Sequence, residues 1–238
     1  MEKNEEIDIL NKYITSLHSQ KAASNTTETN PEKNLNLTVI IHDLNLLRST
    51  KVLGRLYFKY YVDEIKVLDS FDYILWHNKK MKYYLEKYID SEKIIPLGIF
   101  DYLLDYKNQS NNSDYKKVII AGNLDKNKSS YLYKLDELKN DNYYFTLFGI
   151  NYTGLNNDFL QYLGSVDSDE LPKRLTTGFG LVWDGITSKT CAGTFGEYLR
   201  INNPHKTSLY LASGIPVIIW SEAALAEVVR ENGIGIVV

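Results

Sequence analysis

Cysteine is nearly absent from this sequence, in which Cys191 is the only one among 238 residues. A single cysteine excludes a disulfide within the chain and a cysteine-rich zinc site, and it favours a reducing, cytoplasmic location. An excess of either charge is also missing. The 27 basic and 30 acidic side chains leave a formal net charge of -3, so we expect no nucleic-acid partner.

Long apolar runs are absent as well. No stretch is long and apolar enough to span a bilayer, and the first residues, MEKNEEID, are acidic where a secretion signal carries basic residues. We therefore expect a cytoplasmic protein whose contact with a membrane is at most peripheral.

The histidines and acidic residues give no metal-binding pattern. None of the four histidines pairs with another, or with the cysteine, at ligand spacing: His18, His42, His77 and His205. Asp167 and Asp169 form a D-x-D pair, but they stand at the start of a helix predicted at 169–175, immediately ahead of ELPKRL, where aspartates are favoured as caps. We predict capping for this pair, and neither a metal ion nor another cofactor.

The first 34 residues are predicted to form a segment of their own, 1–34, ahead of the folded part. Apolar residues recur at helical spacing within 5–18, at Ile7, Leu10, Ile14 and Leu17. Residues 19–34 are polar and contain no aromatic residue, which predicts a linker. The acidic outer face of the helix favours packing against its own chain or a partner, which leaves a homo-oligomer or a partner subunit open.

Deletion of residues 1–34 is expected to leave the thermal midpoint of the protein nearly unchanged. The linker composition cannot bury apolar area, and the first predicted strand begins only at residue 35. Thermal denaturation of the shortened chain beside the full chain measures this. A large drop would show that the helix at 5–18 covers part of the fold.

Short apolar runs alternate with helical stretches in the rest of the chain. The runs predicted as strands are residues 35–41, 71–76, 93–99, 117–122, 143–149, 158–164, 178–183, 214–220 and 233–238. Helices are predicted at residues 53–67, 79–88, 129–139, 169–175, 204–212 and 222–231. This alternation predicts parallel sheets with right-handed crossovers. A polar linker at 106–114 divides them into two Rossmann-like units, 35–105 and 115–238, so the fold class is α/β.

The carboxyl ends of parallel strands are where ligands bind in such folds, and three segments there carry polar side chains. At the first, Asn203 is a predicted N-cap, Pro204 suits the first helical position, and Lys206 falls in the first turn. Free N–H groups and an ammonium can together bind a pyrophosphate, whereas a solvated lysine would give the same spacing.

The other two segments follow strands in each unit. In the loop 121–129, Lys126 and Lys128 could reach a phosphate, and Asn123 is a further candidate there, although the composition by itself favours a polar loop with solvated lysines. In the first unit, His42 and Asp43 follow the strand 35–41, where either could be a general base or a cap of the next turn.

Several motifs resemble those of a known family. The segments YLGSVDSDELPKRL, FGLVWDG and GEYLRINNPHKTSLYLASGIPVIIWSEAALAEVV resemble the donor half of a GT-B glycosyltransferase. They are similar to bacterial β-1,6-galactofuranosyltransferases and to the related glucosyltransferases that extend glycans on adhesins. VIIHDLNLLRS and GIFDYLL resemble the acceptor half. The resemblance implies a GT-B fold, a UDP-sugar donor bound without metal, and transfer of galactofuranose or glucose to a glycan acceptor in cell-surface polysaccharide or glycoprotein synthesis.

The resemblance also implies roles for individual residues. Lys206 matches the family lysine that holds the diphosphate, and Lys126 stands where the family has a basic residue facing the nucleotide. Glu197 and Tyr198 match a Glu-Tyr pair ahead of that lysine, while Ser221 opens a helix near the donor.

The sequence departs from the family pattern at both ends. A polar tail stands where the family has strands and a glycine-rich loop before HDLN, and the last residues are the strand GIGIVV. We therefore expect a GT-B-like fold shortened at both ends. This leaves a second hypothesis, a non-catalytic remnant or partner subunit of a complete transferase.

Overall fold

A computed structural model describes residues 36–44, 64–106 and 114–238 of the chain. The described residues form two units. The first contains the residues up to Trp76 together with Lys82–Pro96, and the second contains His77–Met81 and Leu97–Val238. Four predictions lie wholly or mostly outside the described residues: the helices at 5–18 and 53–67 and the linkers at 19–34 and 106–114.

The first unit contains a parallel sheet of three strands in the order β1, β2, β3. The strands are β1 (Thr38–Ile40), β2 (Tyr73–Trp76) and β3 (Ile94–Pro96). Residues 64–69 are helical, and helix α1 (Lys79–Leu85) and a short 3-10 helix (Ser91–Lys93) connect β2 to β3. One face of the sheet is buried, because Ile74 is 0% and Ile94 is 5% exposed.

The second unit contains a parallel sheet of six strands. The strands are β4 (Lys117–Asn123), β5 (Tyr144–Ile150), β6 (Leu160–Tyr162), β7 (Phe179–Val182), β8 (Val217–Ile219) and β9 (Gly235–Val237). The helices are a 3-10 helix (Ser130–Leu138), α2 (Leu171–Arg174), α3 (Thr194–Tyr198), α4 (His205–Ala212) and α5 (Ala226–Asn232). Every predicted strand is therefore confirmed, most of them somewhat shorter than expected.

The strands of the second sheet lie in the order β6-β5-β4-β7-β8-β9. Counted within the unit, this is the 3-2-1-4-5-6 order of a Rossmann fold. The order reverses between β4 and β7, and ligands bind beyond the carboxyl ends of the strands at such a switch point. The core is continuous beneath this edge, since Ile119, Leu147 and Val182 are all 0% exposed.

Several helix predictions are corrected by the structure. The predicted helix at 129–139 is a 3-10 helix, α3 was not predicted, and the last helix begins at Ala226 rather than at residue 222. Capping by Asp167 and Asp169 is also wrong for α2, whose N-cap residue is Glu170 without a side-chain capping bond. The backbone carbonyl of Asp167 accepts the N–H groups of Glu170 and Leu171 instead, so the carboxylates are not needed there.

Candidate functional site

Tyr210 packs helix α4 against the second sheet. The ring of Tyr210 fills the space above Gly180 on β7, where a Cβ atom would lie 2.2 Å from the ring. The Tyr210 hydroxyl accepts a 2.8 Å hydrogen bond from the N–H of Ala121 on β4. Lys206 lies four residues earlier and hence on the same side of the helix. The packing of Tyr210 thus directs Lys206 toward the end of β7.

The ammonium of Lys206 lies beyond the carboxyl end of β7. It donates a 2.7 Å hydrogen bond to the carbonyl of Trp183 and forms a 3.1 Å ion pair with Oδ1 of Asp184. The two side chains are only 17% and 13% exposed. Lys206 is therefore held at the switch point by two acceptors, and the alternative of a solvated lysine is wrong.

Backbone hydrogen bonds join the loops that follow β4 and β7. The N–H of Gly185 donates to the carbonyl of Lys128, and the N–H of Tyr131 donates to the carbonyl of Gly185, both at 3.3 Å. The hydroxyl of Tyr131 donates to the carbonyl of Trp183 at 3.4 Å. Burial raises the pKa of the Tyr131 phenol, and the nearby charge of Asp184 raises it further. Tyr131 consequently remains a neutral donor beside the ion pair.

Cys191 lies buried close to the same ion pair. Burial raises the pKa of its thiol to about 12, and the thiolate is the nucleophilic form of cysteine. Cys191 therefore stays protonated and contributes packing rather than chemistry.

Asn123 is the last residue of β4, and Lys126 lies in the loop that follows it. The side-chain oxygen of Asn123 accepts the N–H of Asp125 at 3.0 Å and the amide of Asn151 at 3.1 Å. Lys126 is exposed, with its ammonium 5.8 Å from the centre of the Tyr133 ring. The side chain of Asn123 thus stabilises the turn that begins the loop. Lys126 is exposed to solvent at the carboxyl edge of the sheet, where Lys206 also lies.

Asn203 does not cap helix α4, whose N-cap residue is Pro204. Its amide group donates to the carbonyls of His77 (2.7 Å) and Gly98 (3.3 Å), and its side-chain oxygen accepts from Asn78 (3.0 Å). At 2% exposure the side chain is buried. The prediction of an N-cap is therefore wrong: Asn203 fixes the backbone that leads into α4, and both of its amide hydrogens are already engaged.

Glu197 and Ser221 lie near a cluster around Arg200. Glu197 accepts from Nε of Arg200 at 2.7 Å, and Arg200 also pairs with Glu222 and lies over the ring of Trp220. Ser221, between Trp220 and Glu222, is exposed at the carboxyl end of β8. Contacts of Glu197 and Ser221 with a nucleotide stay predictions.

Tyr198 lies in α3 and is only 5% exposed. Burial of this degree is typical of a packing residue. Its predicted contact with a nucleotide also stays a prediction.

His42 and Asp43 lie in the first unit, directly beyond the carboxyl end of β1. Both side chains are exposed, as a group that meets a substrate must be. Their role as a general base stays a prediction.

Asp184 is the site residue that the sequence analysis missed. It lies one position past Trp183, directly beyond β7, as Asp43 lies beyond β1. The same rule that selected the polar residues after other strands would have found it.

The described residues contain no group of three or more side chains suited to hold a metal ion. Within the same ranges, no helix combines the length and hydrophobicity that crossing a membrane requires.

Solved structures share this architecture at low sequence identity. WaaG, a glycosyltransferase involved in lipopolysaccharide biosynthesis, has a TM-score of 0.52 at 13% identity, over 94% of this chain and 68% of that chain. HepE of Anabaena in complex with UDP-glucose has a TM-score of 0.53 at 10% identity, over 85% of this chain and 58% of that chain. The predicted fold class, the α/β fold of GT-B proteins, is thereby confirmed.

Family models give the more specific identification. Residues 118–238 match the C-terminal domain of the glucosyltransferase 3-like family, and residues 15–99 match its N-terminal domain. The chain belongs to the glucosyltransferase 3-like family.

Two curated relatives are similar to parts of the chain. A β-1,6-galactofuranosyltransferase, WbbI of Escherichia coli K12, is 44% identical over 172 residues, which are 71% of this chain and 50% of the relative. Glucosyltransferase 3 of Streptococcus gordonii is 42% identical over 80 residues, which are 33% of this chain and 23% of the relative. The matched part of the chain thus spans half the length of the first relative and about a quarter of the second.

Proposed function

We propose that the protein binds a UDP-sugar at the carboxyl edge of its second sheet and transfers the sugar to a glycan acceptor. The observation that carries this proposal is the position of Lys206, whose ammonium is held at the switch point of a Rossmann-type sheet. The family membership of the chain and the names of its relatives supply the reaction class.

The diphosphate of the donor would meet two sources of positive charge at this edge. Lys206 is held beyond β7, and Lys126 projects from the adjoining loop after β4. As the bond from the anomeric carbon to the diphosphate breaks, negative charge grows on the leaving oxygen. A fixed ammonium stabilises that charge without having to reorganise, and in this role it replaces a metal ion.

The acceptor hydroxyl forms the new bond to the anomeric carbon as the diphosphate departs. If the reaction inverts configuration, the hydroxyl proton passes to a general base, for which we propose Asp43 or His42. Galactofuranose and glucose are the two sugars that the relatives' names support. The acceptor class is a glycan of a cell-surface polysaccharide or glycoprotein, and the single cysteine supports work in the cytoplasm.

A paired assay tests this function with the purified full chain. Calorimetric titration is expected to show UDP binding, and UDP release from UDP-galactofuranose or UDP-glucose with sugar acceptors reports transfer. A chelator should leave the UDP affinity unchanged, because lysines rather than a metal are proposed to hold the diphosphate. A chelator-sensitive affinity would contradict that assignment.

The two halves of the assay also separate the rival hypotheses. UDP binding without transfer, under conditions in which a complete family member is active, would favour the non-catalytic partner subunit. Turnover by the isolated chain would establish that the protein is an active transferase. The absence of UDP binding at millimolar concentration would contradict both the transferase and the partner-subunit hypothesis.

A further inference from the structure

Asp184 is an acidic residue at the point where the proposed function needs positive charge. Its side chain is only 13% exposed, and its carboxylate is 3.1 Å from the ammonium of Lys206. The groups around it remain uncharged, since burial raises the pKa of Tyr131 and of Cys191. Lys206 and Asp184 thus form a largely buried pair without net charge.

The ammonium has three N–H groups, and the structure accounts for two of them. One donates to the carbonyl of Trp183, and the carboxylate of Asp184, 3.1 Å from the nitrogen, is the natural acceptor for another. One N–H is therefore left for a further acceptor. A diphosphate brings at least two negative charges, and its oxygens would crowd the carboxylate around a single cation. Like charges at such distances repel strongly when they are partly shielded from water, so the carboxylate cannot keep its full contact with the ammonium once the diphosphate binds.

We propose that Asp184 is a positioning residue that holds Lys206 in the empty site and yields the ammonium to the diphosphate when the nucleotide binds. This inference rests on the proposed function, which makes Lys206 the diphosphate ligand. Asp184 supplies the counter-charge that a buried lysine requires while the site is empty. The diphosphate of the nucleotide must then compete with that carboxylate for the ammonium. Asp184 therefore keeps Lys206 in position but lowers the affinity of the site for the nucleotide.

Asp184→Asn is the decisive variant, because it keeps the size and an acceptor oxygen and removes the charge. The buried ammonium then lacks a counter-charge until UDP arrives, so the unliganded state is destabilised more than the complex. We expect UDP to bind about tenfold more tightly, by calorimetric titration, on the scale of a partly buried charge contact. The unliganded thermal midpoint should fall, and the increase on adding UDP should exceed that of wild type.

Two controls separate this role from a general change of charge. Asp125→Asn removes a carboxylate from the adjoining loop, where Asp125 accepts the N–H of Asn127, and should change the UDP affinity by less than about twofold. In a Lys206→Met background, the gain from Asp184→Asn should be clearly smaller, because only the repulsion between the carboxylate and the diphosphate remains and no ammonium is left to be released. A purely structural role for Asp184 would not produce this coupling. Asp184→Ser, a smaller neutral side chain, repeats the test independently of how well the asparagine is accommodated.

The outcomes distinguish this inference from the function on which it rests. Equal or weaker UDP binding by both Asp184→Asn and Asp184→Ser would overturn the proposal that Lys206 leaves Asp184 for the diphosphate. It would not affect the role of Lys206 as the diphosphate ligand. A gain from Asp184→Asn that is undiminished in the Lys206→Met background would also overturn the proposal. No UDP binding by the wild-type protein would overturn the proposed function and this inference together.

Discussion

Replacement of Lys206 by methionine is expected to weaken UDP binding by about 1.5–3 kcal/mol, the scale of a lost charge-assisted contact. Methionine keeps the apolar part of the side chain and removes the ammonium. The substitution also leaves the buried carboxylate of Asp184 without its partner, which repels the diphosphate further. Calorimetric titration with UDP measures the loss.

A second lysine of the same unit serves as the matched control. Lys173 is exposed and pairs with Glu170 on helix α2, so Lys173→Met should leave the UDP affinity nearly unchanged. Circular dichroism and thermal denaturation of both variants verify that each is folded. Equal affinity in wild type and Lys206→Met would remove Lys206 from the nucleotide site.

Replacement of Gly180 by valine is expected to cost about 3 kcal/mol of unfolding free energy, because it overpacks the core beneath the site. A Cβ atom at Gly180 would meet the first carbon of the Tyr210 ring at 2.2 Å. Rotation of the ring about the Cβ–Cγ bond leaves that carbon in place, so turning the ring does not relieve the clash. Helix α4 must shift instead, which moves Lys206 and breaks the bond from Ala121 to the Tyr210 hydroxyl. Urea denaturation measures the loss, and UDP affinity should fall with it.

Gly164→Ala separates overpacking from backbone strain. Gly164 has a φ of +82°, and no atom lies within 4 Å of a Cβ placed there. Its substitution should therefore cost only the strain of a positive φ, about 1–2 kcal/mol. If the Gly180→Val protein is no more destabilised than the Gly164→Ala protein, then the packing of Tyr210 does not determine the position of helix α4 on the sheet.

The strands were predictable because each is a short apolar run between polar turns, and parallel strands buried on both faces need such runs. Lys206 was predictable in part, since its position in the first turn of a helix after Asn203 and Pro204 is a local pattern. The spacing alone did not decide between a phosphate ligand and a solvated lysine. Resemblance to the family favours the first, and the contacts of Lys206 with Trp183 and Asp184 show that it is not simply solvated. Its contact with a phosphate stays a prediction.

Asp184 and Asn203 show what local patterns cannot supply. Asp184 is separated from Lys206 by more than 20 positions in the sequence, and no local sequence pattern around either residue predicts that they form an ion pair. Asn203 looks like an N-cap because its neighbours suit a helix start, yet its amide bonds a carbonyl 126 residues away. The buried hydrogen bond to the distant carbonyl replaces the local capping bond. The residues next to Asn203 in the sequence give no sign of this distant partner. Helix α3 was missed for a different reason, because a five-residue helix that contains Gly196 is too short to show a period.

The bonds between Asn203 and the segment at His77 also constrain when the protein can finish folding during its synthesis. His77 is 126 residues ahead of Asn203, and at about 5–20 residues per second a ribosome needs about 6–25 s to make the intervening chain. Throughout this time the imidazole of His77, which is only 2% exposed in the folded protein, has no Asn203 to bond. The second unit can therefore close only after most of the chain has left the ribosome, although one of its segments is among the earlier parts to be made.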